Sequence, residues 1–471
     1  MTAPLKTVIL SSSLLTERML FYSSFLPSLK GKIEASLWTT SERNLDFKSA
    51  NGIPHVTVES FPAVRPFKEF PYNYLRRLNE FSWDYSMRPP SRTGAIRRLR
   101  DRETRLYTRA LKLPARIIAM LKMENSFEDW LEGVLLSYPR TPEGARRLAA
   151  ATPDMLVTTG TFRYEEPAIT ATAIKLGIPT LALITSWDNP STKNRMVFKY
   201  DGYLVWSEQM REHLYQFFPY TRQAPVYVIG APQFDVFFQP RFHEPREVFC
   251  ERQRLDPALP IVMYALGSPN LFRENASVLH LAEHVARGEL GDVQLLVRPH
   301  PLFDGGLDIA RLSQLRPRVV VQETGQTGLS VPARAQNEDE IRDWVNTFRH
   351  AAVIVNLSST AAIDGAIFDR PVVNLDYDPE PGQSRQGLVN EINHSWTHFK
   401  PIAESGGMWL VNNPAELVEA VRTYLKLPEL HREKRCEMAE QVCGFLDGRC
   451  GERMAEALMD FGGEERKRNK R

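Results

Sequence analysis

The sequence predicts an α/β protein of two Rossmann-like, doubly wound lobes facing each other, with a helical insertion in the N-terminal lobe. Three observations predict it. A chain of 471 residues exceeds what one hydrophobic core usually supports, so two domains are expected. Short apolar runs alternate with helical stretches, the pattern of a parallel sheet joined by crossover helices. This alternation halts at a proline-bearing stretch, APQFDVFFQPRFHEPRE over 231–247, and then starts again, which marks a linker between the two. The expected boundaries are an N-terminal lobe over 1–238, a C-terminal lobe over 239–461 and a disordered basic tail over 462–471.

In the first half, KTVILSSS, IEASLWTT and HVTVES read as short buried strands separated by polar turns, and a further strand, MLVTTG, begins at Met155. Residues 66 to about 145 interrupt the pattern with an Arg-rich insertion of helical character. From Arg88 to Lys122 there are eleven Lys or Arg against Asp101 and Glu103, a local surplus hidden by the whole-chain charge. It is either a solvated helix face or a surface for an anionic membrane or acceptor, where each basic residue near an acidic leaflet contributes roughly 1 kcal/mol. After MLVTTG, a helix is expected with Pro167 in its first turn and Ile169, Ala173 and Leu176 on one face; Gly177 and Pro179 stop it before the strand TLALITS. Glu165, Glu166 and Asp188 then fall at strand ends. GYLVWS and VYVIGAP continue the strand pattern.

The second half opens on the strand PIVMYALGSPN, followed by a helix near 274–287, the strand VQLLVRPHP, the strand RVVVQE, an acidic helix near 337–349, and AAVIVNLSSTAAIDGAIFDRPVVNLDYD. Ligands of open parallel sheets bind outside the carboxyl ends of the strands. Three such ends carry polar groups: Gly267, Ser268 and Asn270 in GSPN; Arg298 and His300 in RPHP; and Ser358, Ser359 and Thr360, with Asp364 beyond them, in NLSSTAAID. Hydroxyls where a strand gives way to a helix cap that helix, and its free N–H groups favour an anion. Asp364, five residues past Ser359, lies just over one helical turn on, within reach of ribose hydroxyls.

Bulk properties narrow the class. With 43% hydrophobic and 25% charged residues and a net charge of +2, the composition is that of a soluble globular protein. No run approaches the ~18 apolar residues of a membrane helix. The N-terminus lacks the form of a secretory signal, so a cytoplasmic location is expected. The four cysteines read as buried, reduced thiols, because Cys436, Cys443 and Cys450 stand seven apart rather than at zinc-site spacing. His280 and His284, four apart, do not stand at an open strand end and read as a surface helix. No Walker loop, zinc set or nucleophile elbow is present, and the aromatic residues form no stacking ladder for nucleic acid.

The pairing of RPHP with SSTAAID…DRPVVNLD resembles the C-terminal lobe of two-lobed (GT-B type) nucleotide-sugar transferases that carry a His-Pro and a Ser-Ser motif. These include bacterial sialyltransferases, Kdo transferases and CDP-glycerol glycerophosphotransferases, with the UDP-N-acetylglucosamine 2-epimerases related in fold. The resemblance implies that His300 contacts the nucleotide or its phosphate and that Ser358 and Ser359 bind phosphate. It also gives the ribose to Asp364, which stands where the epimerase-like spacing has Glu. The segment GFLDGRCGERMAEALMDF looks like the last helix of this superfamily, which often returns to the first lobe.

Transfer needs a base for the acceptor's proton and positive charge for the leaving phosphates. Arg298, a protonated His300 and the turn at Ser359 can supply the charge without a metal. Glu165 or Glu166 is the expected base, as some Kdo transferases carry a Glu in a comparable position, and Asp188 competes. The expected activity is a metal-independent glycosyltransferase with no cofactor. It would move a sugar from a nucleotide-activated donor to a glycan or glycolipid acceptor, with an anionic membrane surface as a further partner and no nucleic acid. The rivals are CDP-polyol phosphate transfer, a 2-epimerase-like isomerase and a non-catalytic nucleotide-binding module.

Overall fold

A computed structural model describes the chain apart from residues 1–2, 30, 41–52, 66, 88–105, 139, 163–164, 194, 301–304, 324–336, 381, 383–385 and 469–471. The chain forms two compact units, one of Met1–Asp235 with Cys443–Arg471 and the other of Val236–Val442.

The first unit holds a seven-stranded sheet in the order β3-β2-β1-β4-β5-β6-β7. Its strands are β1 (Leu5–Ser11), β2 (Ile33–Thr39), β3 (Val56–Ser60), β4 (Met155–Thr158), β5 (Thr180–Leu183), β6 (Gly202–Val205) and β7 (Val226–Val228). All neighbours are parallel. Helices cover both faces of such a sheet, so its central strands are apolar throughout; β4 and β5 are buried at every position. Among the described residues, four helices come between β3 and β4: α1 (Tyr72–Met87), α2 (Leu106–Met120), α3 (Glu124–Ser137) and α4 (Pro142–Ala151). Of the basic run expected over 88–122, residues 88–105 lie outside the described residues. Downstream are α5 (Glu166–Lys175) and α6 (Asn189–Thr192).

The second unit repeats the plan with six parallel strands in the order β10-β9-β8-β11-β12-β13. These are β8 (Ile261–Ala265), β9 (Gln294–Arg298), β10 (Val319–Val321), β11 (Val353–Asn356), β12 (Val372–Leu375) and β13 (Trp409–Val411). The helices that matter below are α7 (Asn275–Ala286), α8 (Glu338–His350), α9 (Ala361–Ile367) and α10 (Leu388–Ser395). Asn337 caps α8 through the Glu340 amide, and the first turn carries Glu338, Asp339 and Glu340, placing negative charge at the positive end of the helix dipole.

Three expectations need correction. The first unit ends at Asp235 rather than 238. Residues 443–461, which the expected boundary left in the second lobe, belong to the first unit, in line with the returning last helix that the resemblance implies. The expected disordered tail is ordered to Arg468, as the end of α11 (Cys450–Arg468). Two carboxylates explain the last two. Asp235 accepts the Cys450 amide at 3.0 Å and the Gly451 amide at 2.8 Å, together with the Ser24 hydroxyl at 2.6 Å. Arg466 grips Asp154 through Nε at 2.8 Å and Nη2 at 2.6 Å, and caps the Ala3 and Pro4 carbonyls. Of the thiols, Cys250, Cys443 and Cys450 are buried while Cys436 is exposed, and all four are free. Cys436 departs from expectation because its turn of helix faces solvent.

Candidate functional site

In the second unit the strand order reverses direction between β8 and β11. In a doubly wound sheet this switch point is where adjacent loops part and leave a crevice at the carboxyl ends. Register places the sequence candidates around it. Arg298 pairs with Ala265, Ala265 with Asn356, and Asn356 with Asn374, one row across four strands. At ~4.8 Å per strand, the ends of β9 and β11 lie on the order of 10 Å apart. The loops that follow, with Gly267 and Ser268, with His300, and with Ser358 and Ser359, therefore leave the same edge of the sheet.

The serine turn divides into two parts. Ser358 has left-handed backbone, with φ of 44°, a conformation that costs a non-glycine residue energy and persists only when its surroundings hold it. Buried asparagines do the holding. The Ser358 amide donates to Asn374 Oδ1 at 2.8 Å and its hydroxyl to Asn393 Oδ1 at 2.7 Å, while the Asn374 side-chain amide donates to that same Asn393 oxygen at 3.2 Å. Both Ser358 donors thus turn inward. Ser359 differs: its hydroxyl oxygen accepts the Ala361 amide at 3.3 Å, which leaves its proton to donate outward. Thr360 is exposed and its side chain makes no capping bond. Of this turn's hydroxyls, that of Ser358 is turned inward, that of Ser359 is half-buried and that of Thr360 is exposed. The expected pair of Ser358 and Ser359 is corrected to that extent, because the strained backbone uses up Ser358.

Arg298 is anchored from behind. Its Nη1 donates to Gln322 Oε1 at 2.8 Å and Thr347 Oγ1 at 3.2 Å. Burial lowers its pKa, and the negative charges of Asp364 and Glu340 oppose that shift. Asp364 is itself buried and accepts the Trp344 indole N–H at 3.5 Å, so the carboxylate expected on ribose also supports the Arg298 charge. His300 is half-buried in the loop after β9. In the β8 loop, the Gly267 amide donates to Glu274 Oε1 at 2.7 Å, Ser268 accepts the Leu271 and Phe272 amides through its carbonyl, and Asn270 is exposed. A small cleft here is lined by Leu266, Gly267, Pro269, Phe272 and Glu274. Burial pushes Glu274 up to about 7, against the Gly267 and Tyr264 hydrogen bonds.

The first-unit carboxylates separate sharply. Glu166 is fully buried and sits at that sheet's own switch point, between β1 and β4. One oxygen accepts the Ser12 amide and hydroxyl and the Thr159 hydroxyl; the other accepts the Thr158 hydroxyl and the Thr159 and Gly160 amides. A Cβ on Gly160 would come within 2.7 Å of the Glu166 carboxyl carbon. The expectation of Glu166 as a base is corrected. With six donors bound and no exposure, it ties two strand ends together and has no lone pair open to a substrate proton. Glu165 is 37% exposed and pairs with Lys68 at 3.1 Å. Asp188 precedes α6 and accepts the Ser186 hydroxyl and, at 2.7 Å, the Thr192 hydroxyl.

Sequence reasoning missed the second layer: Gln322, Thr347, Asn356, Asn374 and Asn393, and the pair Asp376–His394. The Asp376 side chain is 6% exposed; its Oδ1 accepts Asn393 Nδ2 at 2.9 Å and its Oδ2 pairs with His394 Nε2 at 2.7 Å. The imidazole is 39% exposed. One carboxylate thus holds both the amide that pins Ser358 and a surface histidine. Asparagines at the last position of one apolar strand, VIVN, and the penultimate position of its neighbour, VVNL, were the available signal, since a buried amide needs partners. His280 and His284 turn instead to the Pro414 carbonyl and to Glu289.

The family described as CDP-Glycerol:Poly(glycerophosphate) glycerophosphotransferase matches residues 174–460, a span that takes in Asp188 and every second-unit candidate. No protein of curated function matches the chain. Solved structures similar to it include the UDP-GlcNAc 2-epimerase of Neisseria meningitidis, at 10% identity and TM-score 0.53 over 97% of this chain and 100% of that one. The UDP-GlcNAc 2-epimerase of Methanocaldococcus jannaschii matches at 13% identity and TM-score 0.52 over 96% and 99%. The wall teichoic acid polymerase TagF matches at 10% identity and TM-score 0.52 over 98% and 89%. At such identities the likeness is one of fold, the GT-B arrangement. The match over more than half of its length shows that the chain belongs to the CDP-glycerol:poly(glycerophosphate) glycerophosphotransferase family of nucleotide-activated transferases.

Proposed function

We propose that the protein transfers a polyol phosphate from a CDP-activated donor to a hydroxyl of a polyol-phosphate chain, rather than a sugar to a glycan. The observation that carries this reading is the family match, which spans the whole carboxyl-edge row from Gly267 to Asp364. In this reaction the acceptor oxygen attacks the phosphorus that bears the polyol, and a new O–P bond forms. The bond from that phosphorus to the bridging oxygen breaks, its electrons leave with CMP, and the acceptor's proton passes to a base. Arg298, His300 and the hydroxyls of Ser359 and Thr360 would hold the growing charge on the leaving phosphate, since donors fixed before the reaction cost no reorganisation during it. Glu165 and Asp188 remain as candidates for the base.

Incubation with CDP-glycerol and a glycerophosphate primer, read by mass spectrometry, tests the proposal. Release of CMP and retention of phosphate in the new linkage are expected. No turnover of CDP-glycerol, together with release of a nucleoside diphosphate and a phosphate-free linkage when a nucleotide sugar is the donor, would establish glycosyl transfer instead. Glu165→Gln and Asp188→Asn, compared under the same assay, separate the two bases: the true one loses about 100-fold or more in kcat, and the other stays within a few-fold of the parent.

A further inference from the structure

On the polyol-phosphate reading above, we propose that the Asp376–His394 pair is the subsite for the hydroxyls of the transferred polyol. That reading gives the donor's phosphates to Arg298, His300, Ser359 and Thr360 and its ribose to Asp364; none of these answers the polyol. Asp376 directly follows β12, and its amide donates to the Val411 carbonyl of β13 at 2.8 Å, so its carboxylate leaves the sheet at the edge that carries the serine turn. The two are neighbours. Asn393 accepts the Ser358 hydroxyl and donates through Nδ2 to Asp376 Oδ1. Position along the edge then orders the parts of a donor. Arg298 and Asp364, both facing α8 through Thr347 and Trp344, lie on one side of the serine turn, and β12 lies on the side of β11 away from β8 and β9. A donor with its ribose at Asp364 and its phosphates at the turn carries its polyol onward to β12, one strand spacing of ~4.8 Å away.

The chemistry of the pair fits a hydroxyl. A carboxylate only accepts, so the contact between Asp376 Oδ2 and His394 Nε2 places the proton of the neutral ring on Nε2 and leaves a lone pair on Nδ1. Among the described residues Nδ1 has no hydrogen-bond partner, and the ring is 39% exposed. An acceptor backed by the Asp376 charge repels a phosphoryl oxygen and attracts the hydrogen of a hydroxyl. The fold itself does not need this imidazole. Asn393 already ties α10 to β12, through the Leu375 carbonyl at 3.0 Å and through Asp376; what His394 adds is a fixed tautomer with an open acceptor. A metal fits less well, because no group of three His, Cys, Asp or Glu side chains that could hold one occurs among the described residues.

Two donors test the assignment: CDP-glycerol, and CDP-propanol, which lacks both free hydroxyls of the glycerol. With the full chain and a glycerophosphate primer, CMP release is expected to favour CDP-glycerol by about tenfold in kcat/KM, the worth of one hydrogen bond. His394→Leu should bring the two donors within about twofold of each other, and His394→Gln, which keeps a donor for Asp376 and an oxygen acceptor, should restore most of the preference. Inhibition by CMP, which carries no polyol, should stay within about twofold of the parent in both variants. If His394→Leu does not fold, the NMR signals of the His394 ring in the unaltered protein carry the test: they should shift with CDP-glycerol and stay in place with CDP. Absence of a donor preference in the parent, a preference that survives His394→Leu, a CMP inhibition constant weakened along with it, or a ring that moves equally with CDP overturns the subsite and leaves the transfer reaction standing. A parent that releases no CMP from either donor overturns the transfer reaction, and the polyol subsite with it.

Discussion

Ser358 and Ser359 are adjacent and chemically identical, yet the hydrogen bonds around them assign different work. The first holds a left-handed turn closed, and the second, under the proposed reaction, would offer its proton to the donor's phosphate. Ser359→Ala is therefore expected to cut kcat/KM by at least about tenfold, the loss of one hydrogen bond to a charged group, while costing no more than about 1 kcal/mol of stability for the acceptor that the Ala361 amide loses. Ser358→Ala should instead lower stability by about 1–2 kcal/mol by leaving Asn393 Oδ1 short of a donor; calorimetry beside steady-state kinetics reads both. Glu274 makes the other residue-scale prediction. Its pKa is raised in the folded protein, from 4.5 to about 7, so the folded state holds a proton that the unfolded state releases. That contribution is complete below the unfolded value and is lost as pH rises through about 7. Glu274→Gln keeps the acceptor for Gly267 without a charge to bury. It should match the parent at pH near 4 and exceed it by roughly 1–3 kcal/mol near pH 8, as denaturant titrations at the two pH values would register.

At the level of elements, each sheet has one switch point, and the two are treated differently. The crevice between β1 and β4 is closed by Glu166, whereas the end of β8 keeps a cleft beside Gly267. Glu166→Gln would turn an amide N–H toward amide N–H groups in either orientation. A loss of about 2–4 kcal/mol is expected, the cost of a broken buried charge network, whereas Glu165→Gln should leave thermal unfolding where it was. The difference between these neighbours also shows where the sequence was legible. Strands such as VIVN and QLLVR announce themselves by continuous burial, and their order followed from the alternation with helices, so the strand ends carrying Arg298, His300 and Ser359 could be named in advance. Nothing in YEEP distinguishes a glutamate that faces in from one that faces out, because the donors that capture Glu166 come from Ser12, more than a hundred residues earlier, as well as from Thr158 to Gly160. The same holds for Ser358: its partners Asn374 and Asn393 lie on the next strand and on α10, and only pairing in three dimensions shows that its donors are spent.

On the scale of the whole molecule, the first unit is discontinuous in sequence. It is left at Asp235 and completed only when Cys443–Arg471 returns, so its last helix belongs to a sheet made more than two hundred residues earlier. The closing contact is the Arg466–Asp154 pair, with Arg466 also capping Ala3 and Pro4. Partial burial raises the Asp154 pKa, but the hydrogen bonds from Arg466 and from the Lys6 amide outweigh it, and the net shift is downward. A carboxylate with a depressed folded pKa stabilises the fold above its unfolded pKa, and the contribution is lost as pH falls through the folded value. Arg466→Ala should then cost about 0.5–1.5 kcal/mol at neutral pH, a figure reduced for the exposure of both partners. The gap between variant and parent should close in acid, once pH falls below the depressed folded value and Asp154 is protonated in both. Guanidinium unfolding at the two pH values measures this. A gap that stayed constant with pH would assign the effect to the Ala3 and Pro4 carbonyls, and no gap at all would mean that α11 is held by its apolar face alone.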